Sequence, residues 1–300
     1  MSPLLEAKKL TKIYGTTIAL YSADFQVHEG ITGLLGHNGA GKSTAIKLFL
    51  GLIQPTTGSA EVMGRKAYES VEIRARLGYM PEHDCLPSNP TASEFLTHMA
   101  QVSGLPPASA RTRAADVLRH VGLSEERYRA LGSFSTGMKQ RVKLAQALVH
   151  DPTIVLLDEA TSGLDPGGRE EMLALIQRTG KEFGISILLS SHLMGDVERT
   201  CDRIIVLDGG HVSEVGSVSR FTQETQNIIV EVDNNLNELV KIMTREGMKT
   251  TLEGSLMVVE LENEEQYDII RDAVVEAEAT LRRMVPRRHQ LADIFRDAQS

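Results

Sequence analysis

Gly36-His37-Asn38-Gly39-Ala40-Gly41-Lys42-Ser43 sets three glycines, a lysine and a hydroxyl in the spacing G-x-x-x-x-G-K-[ST]. Glycines let the backbone curl until successive N–H groups point at one spot, which makes a cradle for a phosphate. A lysine closing that curl can reach the outer phosphates, and a serine hydroxyl is a hard oxygen donor suited to Mg²⁺. The chemistry open to this spacing is the binding of a nucleoside triphosphate. An ordinary glycine loop ahead of a helix has a similar composition, so the flanks matter. Ile31-Thr32-Gly33-Leu34-Leu35 reads as a buried strand. Ser43 to Leu52 reads as a helix with Ile46, Phe49 and Leu50 on one face. Such a helix turns its positive end toward the same phosphate.

Leu156-Leu157-Asp158-Glu159 ends a second apolar run on two acids. At the carboxyl end of a central strand, Asp158 can hold Mg²⁺ and Glu159 can polarise an attacking water. A pair of acids capping the next segment is the competing reading. His192 follows a third apolar run, Ile185-Ser186-Ile187-Leu188-Leu189, where a side chain faces the ligand crevice. Phe134-Ser135-Thr136-Gly137-Met138 precedes a helix through Val149. A serine cap with a nearby glycine makes another anion-binding helix end, although most such helix starts bind nothing.

Buried strands at 31–35, 153–157 and 185–189 must carry these groups. Between the last two, Arg169 to Phe183 repeats Met172, Leu175, Ile176 and Phe183 at helical spacing. Strand, helix, strand at this separation predicts a parallel sheet covered by helices. Residues about 84–133 are helix-like and broken by Pro87, Pro90, Pro106-Pro107 and Gly122, which predicts an inserted helical subdomain. From Asn227 the order is strand (228–232), helix (Leu236, Leu239, Val240, Met243), a hairpin about Gly254, helix (Tyr267, Ile270, Val274), strand (280–285). That β-α-β-β-α-β order suits a small ferredoxin-like sandwich, with a short closing helix at Gln290–Ala298. Length fits two domains, expected at 1–222 and 223–300.

These motifs, with two more at Glu82 and Ser162–Pro166, stand in an order that resembles the ATP-binding subunit of an ABC transporter, over roughly residues 4–220. The resemblance implies an α/β P-loop NTPase sheet with an inserted helical subdomain; a small C-terminal α+β domain follows. It implies ATP and Mg²⁺ as cofactors and an ATP hydrolase activity. It gives Gly36, His37, Asn38, Gly39, Ala40, Gly41, Lys42, Ser43 and Thr44 to ATP. Tyr14 stands where the family stacks an aromatic ring on adenine. Ser135 and Gly137 fall in its signature, and Asp165 in the Ser162-Gly163-Leu164-Asp165-Pro166 loop that crosses to a second subunit. Ser43, Asp158 and Glu82 take the metal positions, Glu159 the water-activating one and His192 the switch position. Two departures stand out: Phe-Ser-Thr-Gly-Met replaces Leu-Ser-Gly-Gly-Gln, and Glu82 replaces a glutamine. Met138 cannot make an amide's hydrogen bonds, whereas a carboxylate at 82 can still approach Mg²⁺. Both changes, and the tail ending Leu291-Ala292-Asp293-Ile294-Phe295, resemble the exporter branch in which ATPase and permease are separate chains. That branch moves drugs, polysaccharides, sodium or lipids. One phosphate loop per chain implies a homodimer with two composite sites, held at the inner face of the cell membrane by a permease. A soluble ABC ATPase of DNA repair or translation is the alternative; those proteins usually carry two ATPase units or long coiled coils.

Charge bears on the alternative. The net charge is −8, and residues 221–300 hold 16 acidic and 9 basic side chains against 24 and 23 in residues 1–220. No basic excess marks a nucleic-acid surface, so no nucleic-acid partner is expected. Arg282, Arg283, Arg287 and Arg288 form the one basic cluster of the tail, read as a solvated face ahead of a membrane or partner contact. No apolar run reaches the ~18 residues of a membrane span, and the first residues lack the apolar core of a signal peptide. Cys85 and Cys201 make no paired pattern, which suits reduced thiols in the cytoplasm.

Overall fold

Leu5, Ala7 and Leu10 are buried while Lys8 and Lys9 face out, and this uneven alternation makes a strand, β1 (Leu5–Tyr14). It pairs antiparallel with β2 (Thr17–Val27), with register shifts between Ala7 and Ile13. The computed structural model describes residues 2–221, 224–254, 256–261 and 266–288. The chain divides between Val218 and Ser219 into two units. The boundary expected after residue 222 and the helix expected at Gln290–Ala298 fall on residues outside those described.

In the first unit, β3 (Ile31–Leu35) leads into helix α1 (Lys42–Phe49). Then come β4 (Thr57–Val62), β5 (Arg65–Lys66), α2 (Val71–Arg74) and β6 (Leu77–Met80). The segment 84–133 contains α3 (Ala92–Val102), α4 (Pro107–His120) and two single 3₁₀ turns. Thr91 and Glu94 start α3 as a reciprocal capping box, and Pro107 opens α4, where a missing N–H costs nothing. Next are α5 (Thr136–Leu148), β7 (Ile154–Asp158), α6 (Pro166–Phe183), β8 (Ser186–Ser191) and α7 (Met194–Thr200). The run ends with β9 (Arg203–Asp208) and β10 (His211–Ser217), and the short helix α8 (Val218–Phe221) spans the division.

Among the described residues these strands form two sheets. One has the order β2-β1-β4-β5 and was not foreseen from the sequence; the other runs β10-β9-β3-β8-β7-β6. In the second, β3 pairs parallel with β8 and β9, and β7 with β6 and β8. Every residue of β3, β7 and β8 is buried, which is why their runs are apolar rather than alternating. The two sheets share one core in which Phe25 meets Phe49 edge-on at 5.8 Å. Four parallel strands end at Leu35, Met80, Asp158 and Ser191. Gly36, Glu82, Glu159 and His192 therefore leave the same edge of the sheet.

The second unit has β11 (Glu224–Val232), α9 (Leu236–Arg245), β12 (Thr250–Glu253), β13 (Leu256–Glu260), α10 (Gln266–Glu276) and β14 (Leu281–Arg288). Its antiparallel order β12-β13-β11-β14 is the ferredoxin-like arrangement that the element order predicts. Leu239, Ile242, Met243, Ile270 and Val274 pack on Ile228, Val230, Met257 and Val259 as its own core. Among the described residues no helix is long and apolar enough to cross a membrane.

Candidate active site

Two glycines of the phosphate loop are there for want of space. A Cβ on Gly36 would lie 2.4 Å from the Leu207 carbonyl oxygen, and one on Gly41 would lie 2.4 Å from that of Ala19. Gly41 also has φ +103°, in the left-handed region that favours glycine. The Ala40 N–H donates to the His37 carbonyl and tightens the turn. Gly41 caps α1, so the first N–H groups of that helix open into the loop. Lys42 folds back inside: its Nζ donates to the carbonyls of Gly36 at 2.7 Å and His37 at 3.3 Å.

Lys42 Nζ also lies 3.2 Å from Glu159 Oε1, with the two side chains only 6% and 8% exposed. The other Glu159 oxygen, Oε2, is 2.9 Å from Nδ1 of His192. So Glu159 sits between a cation and an imidazole. Its backbone is held in a left-handed conformation, φ +49°, which a glutamate adopts only when its surroundings insist. Ser190, fully buried in β8, supplies that insistence. Its Oγ accepts the Glu159 N–H at 3.1 Å and donates to Asp158 Oδ1 at 2.7 Å. Asp158 Oδ1 accepts a second hydroxyl, Ser43 Oγ, at 3.2 Å. Burial and the Asp158 charge push the Tyr79 phenol on β6 up to about 12, so it stays protonated beside this cluster.

Whether these residues suit Mg²⁺ can be judged from Asp158. It is 3% exposed, and among the described residues no basic side chain pairs with it. A buried carboxylate without a counter-charge, beside a serine hydroxyl, is a hard-oxygen set that a small divalent cation would satisfy. Among the described residues there is no group of three or more His, Cys, Asp or Glu that could cage a metal.

Of the expected residues, eleven line one of two cavities. A cavity of about 310 Å³ is lined by Asn38, Gly39, Gly41, Lys42, Ser43, Thr44, Glu82 and Glu159, with Ala19 added from β2. A separate cavity of about 720 Å³ is lined by Ser135, Gly137 and Asp165, together with Met138, Leu164 and Arg141. No residue is shared between them. Ser135 Oγ caps α5 by accepting the Met138 N–H at 3.3 Å, and Asp165 caps α6 by accepting the Gly168 N–H at 3.3 Å. Tyr14 is 45% exposed at the end of β1, with Lys12 Nζ 5.1 Å from its ring centre, and lines neither cavity. Sequence reasoning assigned no role to Ser190, Ala19 or Lys143. The first had a faint signal, a serine inside an apolar strand; the other two had none.

Residues 20–162 match the family described as ABC transporter. The chain is 36% identical over 224 residues to the uncharacterized ABC transporter ATP-binding protein YxlF of Bacillus subtilis (strain 168), covering 74% of each. It is 39% identical over 216 residues to the bacitracin transport ATP-binding protein BcrA of Bacillus licheniformis, covering 71% of this chain and 70% of that one. A dimeric ATP-binding cassette in a post-hydrolysis state, bound to ADP and Pi, is 25% identical with a TM-score of 0.65; the match covers 71% of this chain and 98% of that one. The fold and the phosphate loop thus define a P-loop ATPase. The chain belongs to the ABC transporter family, as one of its ATP-binding, ATP-hydrolysing subunits, and the resemblance read from the motifs is borne out.

Proposed function

We propose that two copies of this chain close on each other so that the Gly36–Thr44 loop of one and the Ser135–Gly137 helix end of the other hold one ATP between them. The separation of these groups into two cavities of a single chain carries the reading. Gly137 adds support. It lies in the first turn of helix α5, where glycine still loses more backbone freedom on folding than alanine does. Its own chain does not require it, since a Cβ there would meet only Leu164 at 3.8 Å. A helix end kept bare at such a cost suits close approach of something from outside, and the γ-phosphate is the group it would meet.

In this reading the loop N–H groups and Lys42 hold the β- and γ-phosphates, Tyr14 stacks on the adenine, and Asp165 faces the partner copy. Ser43 and Asp158, with Glu82 near them, hold Mg²⁺, which supplies positive charge to the phosphate oxygens. Glu159 takes the proton of the attacking water, and His192 orients it from the far side of the carboxylate. Catalysis is then positioning and charge stabilisation. ATP closes the pair because its γ-phosphate touches both copies, and hydrolysis removes that bridge. The helical segment about 84–133, entered through Glu82, passes the motion to a permease that is a separate chain, so the protein works at the cytoplasmic face of the membrane. The residues at 82 and 138 support export. The test is ATPase rate per chain against protein concentration, with co-purification from detergent-solubilised membranes. A rate per chain that rises with concentration and a polytopic partner support the reading; a constant rate at every dilution refutes the shared site.

A further inference from the structure

Lys143 lies in the middle of α5, and only 3% of it is exposed. Its stem crosses the space between that helix and the loop after β6. There the ammonium donates to the carbonyl oxygens of Pro81 at 2.7 Å, Glu82 at 2.8 Å and His83 at 3.4 Å. An ammonium has three donors, and three successive carbonyls of one loop take all of them. No ion pair with a carboxylate joins it among the described residues, and Asp84, the residue after His83, is taken by Lys139 at 2.8 Å. Burial lowers the proton affinity of the Lys143 amine, while Cys85, Asp84 and Glu82 pull it back up. A buried, unpaired cation is an expensive way to fill space. What it achieves is local: three consecutive carbonyls turned inward force the loop to curl around one point.

The two ends of this tie are the two half-sites. The loop carries Glu82, one of the residues that line the cavity of Lys42 and Ser43. The helix begins at Ser135 and Gly137, which line the other cavity, six residues or about 9 Å along the axis from Lys143. We propose that Lys143 is a positioning residue that fixes the Glu82 carboxylate beside Ser43 and joins that loop to α5, so that the two half-sites of one chain move together. The proposal deepens the assignment of Glu82 to the metal site and rests on it.

The test is a double-mutant cycle on the full chain, reading kcat, KM for ATP and the Mg²⁺ concentration giving half-maximal rate. Lys143→Met keeps the stem and removes the donors. It is expected to raise the Mg²⁺ requirement several-fold and lower kcat about tenfold, with KM for ATP changed less than twofold. Lys143→Arg, which keeps charge and donors, is expected to restore part of both. Glu82→Gln should shift the Mg²⁺ curve in the same direction, and the double variant should match the worse single one. Additive effects, or Lys143→Met behaving as wild type, overturn the proposal. A silent Glu82→Gln beside an active Lys143→Met also overturns it, by showing that the tie does not act through Glu82. Glu82→Gln and Lys143→Met both silent removes the metal assignment of Glu82 as well. Should Lys143→Met fail to fold, hydrogen exchange on the wild-type chain decides. Amides 82–85 and 138–143 must change protection together on adding a non-hydrolysable ATP analogue, and a response confined to 82–85 refutes the coupling.

Discussion

Replacing Glu159 by glutamine tests the site from two sides. Without nucleotide, Lys42 Nζ stands 3.2 Å from Glu159 Oε1, with both side chains nearly shut off from water. At that distance an effective dielectric of about 20 gives a gross attraction of about 5 kcal/mol. The cost of drying both charges cancels much of it, which leaves about 1–2 kcal/mol of pairing that an arriving phosphate must displace. In the complex, the same carboxylate would face the γ-phosphate as a like charge. Glu159→Gln removes both penalties and keeps the shape. A non-hydrolysable ATP analogue should therefore bind roughly 5- to 30-fold more tightly than to wild type. ADP, which lacks the γ-phosphate, should gain less. Turnover should fall roughly 10²–10⁴-fold, the usual worth of a general base. Fluorescence titration of both ligands and a steady-state phosphate-release assay read the three numbers. If the analogue binds the variant no better than wild type, the Lys42–Glu159 contact does not compete with nucleotide. If turnover stays near normal, Glu159 is not the base.

Ser190→Ala leaves the Glu159 N–H and an Asp158 oxygen without their buried partner. It should cost about 1–3 kcal/mol of stability and lower kcat, with thermal melting and ATPase assays as the checks. Cys201 is buried and its thiol is pushed far up, first by desolvation, whereas Cys85 is exposed. Iodoacetamide at pH 8 should therefore label Cys85 alone in the native chain and both thiols after denaturation, as counted by mass spectrometry. His120 and His150 have proton affinities lowered mainly by burial, below the ordinary 6.5. The unfolded chain therefore takes up protons that the folded one refuses. Their stabilisation is intact above about pH 6.5 and is lost as the pH falls toward their folded values. The urea midpoint should drop from pH 7 to pH 5.5, and His150→Gln should flatten the slope; an unchanged slope would count against the burial argument.

The phosphate loop was legible because its information is local. The φ of +103° at Gly41 is a demand of the curl itself, whereas the carbonyls of Leu207 and Ala19 that exclude a Cβ at 36 and 41 come from elsewhere in the chain. The strand and helix beside the loop announce themselves by apolar runs. Asp158 and Glu159 were legible for a related reason, an abrupt stop of four buried apolar residues on charge. The antiparallel sheet of β1, β2, β4 and β5 was not. Lys8, Lys9 and Lys12 interrupt the alternation of β1, and its register shifts mean that no strict period of two survives in the sequence. Ser190 and Lys143 escaped for a different reason. Their partners lie 31 and about 60 residues away, and only the closed fold reveals that a strand serine and a helix lysine serve backbone groups of other loops. Tyr14 shows the converse: the resemblance singled it out, yet its ring is left open at the end of β1.

A polypeptide whose reactive halves look into different spaces has an output that depends on encounter. Well below the dissociation constant of the pair, halving the abundance of the chain would cut the number of working sites about fourfold. A copy damaged only at Gly137 would still recruit an intact one and spoil one of the two sites they share. Supply of the protein, and the purity of that supply, would then set throughput more steeply than the speed of any single catalytic centre.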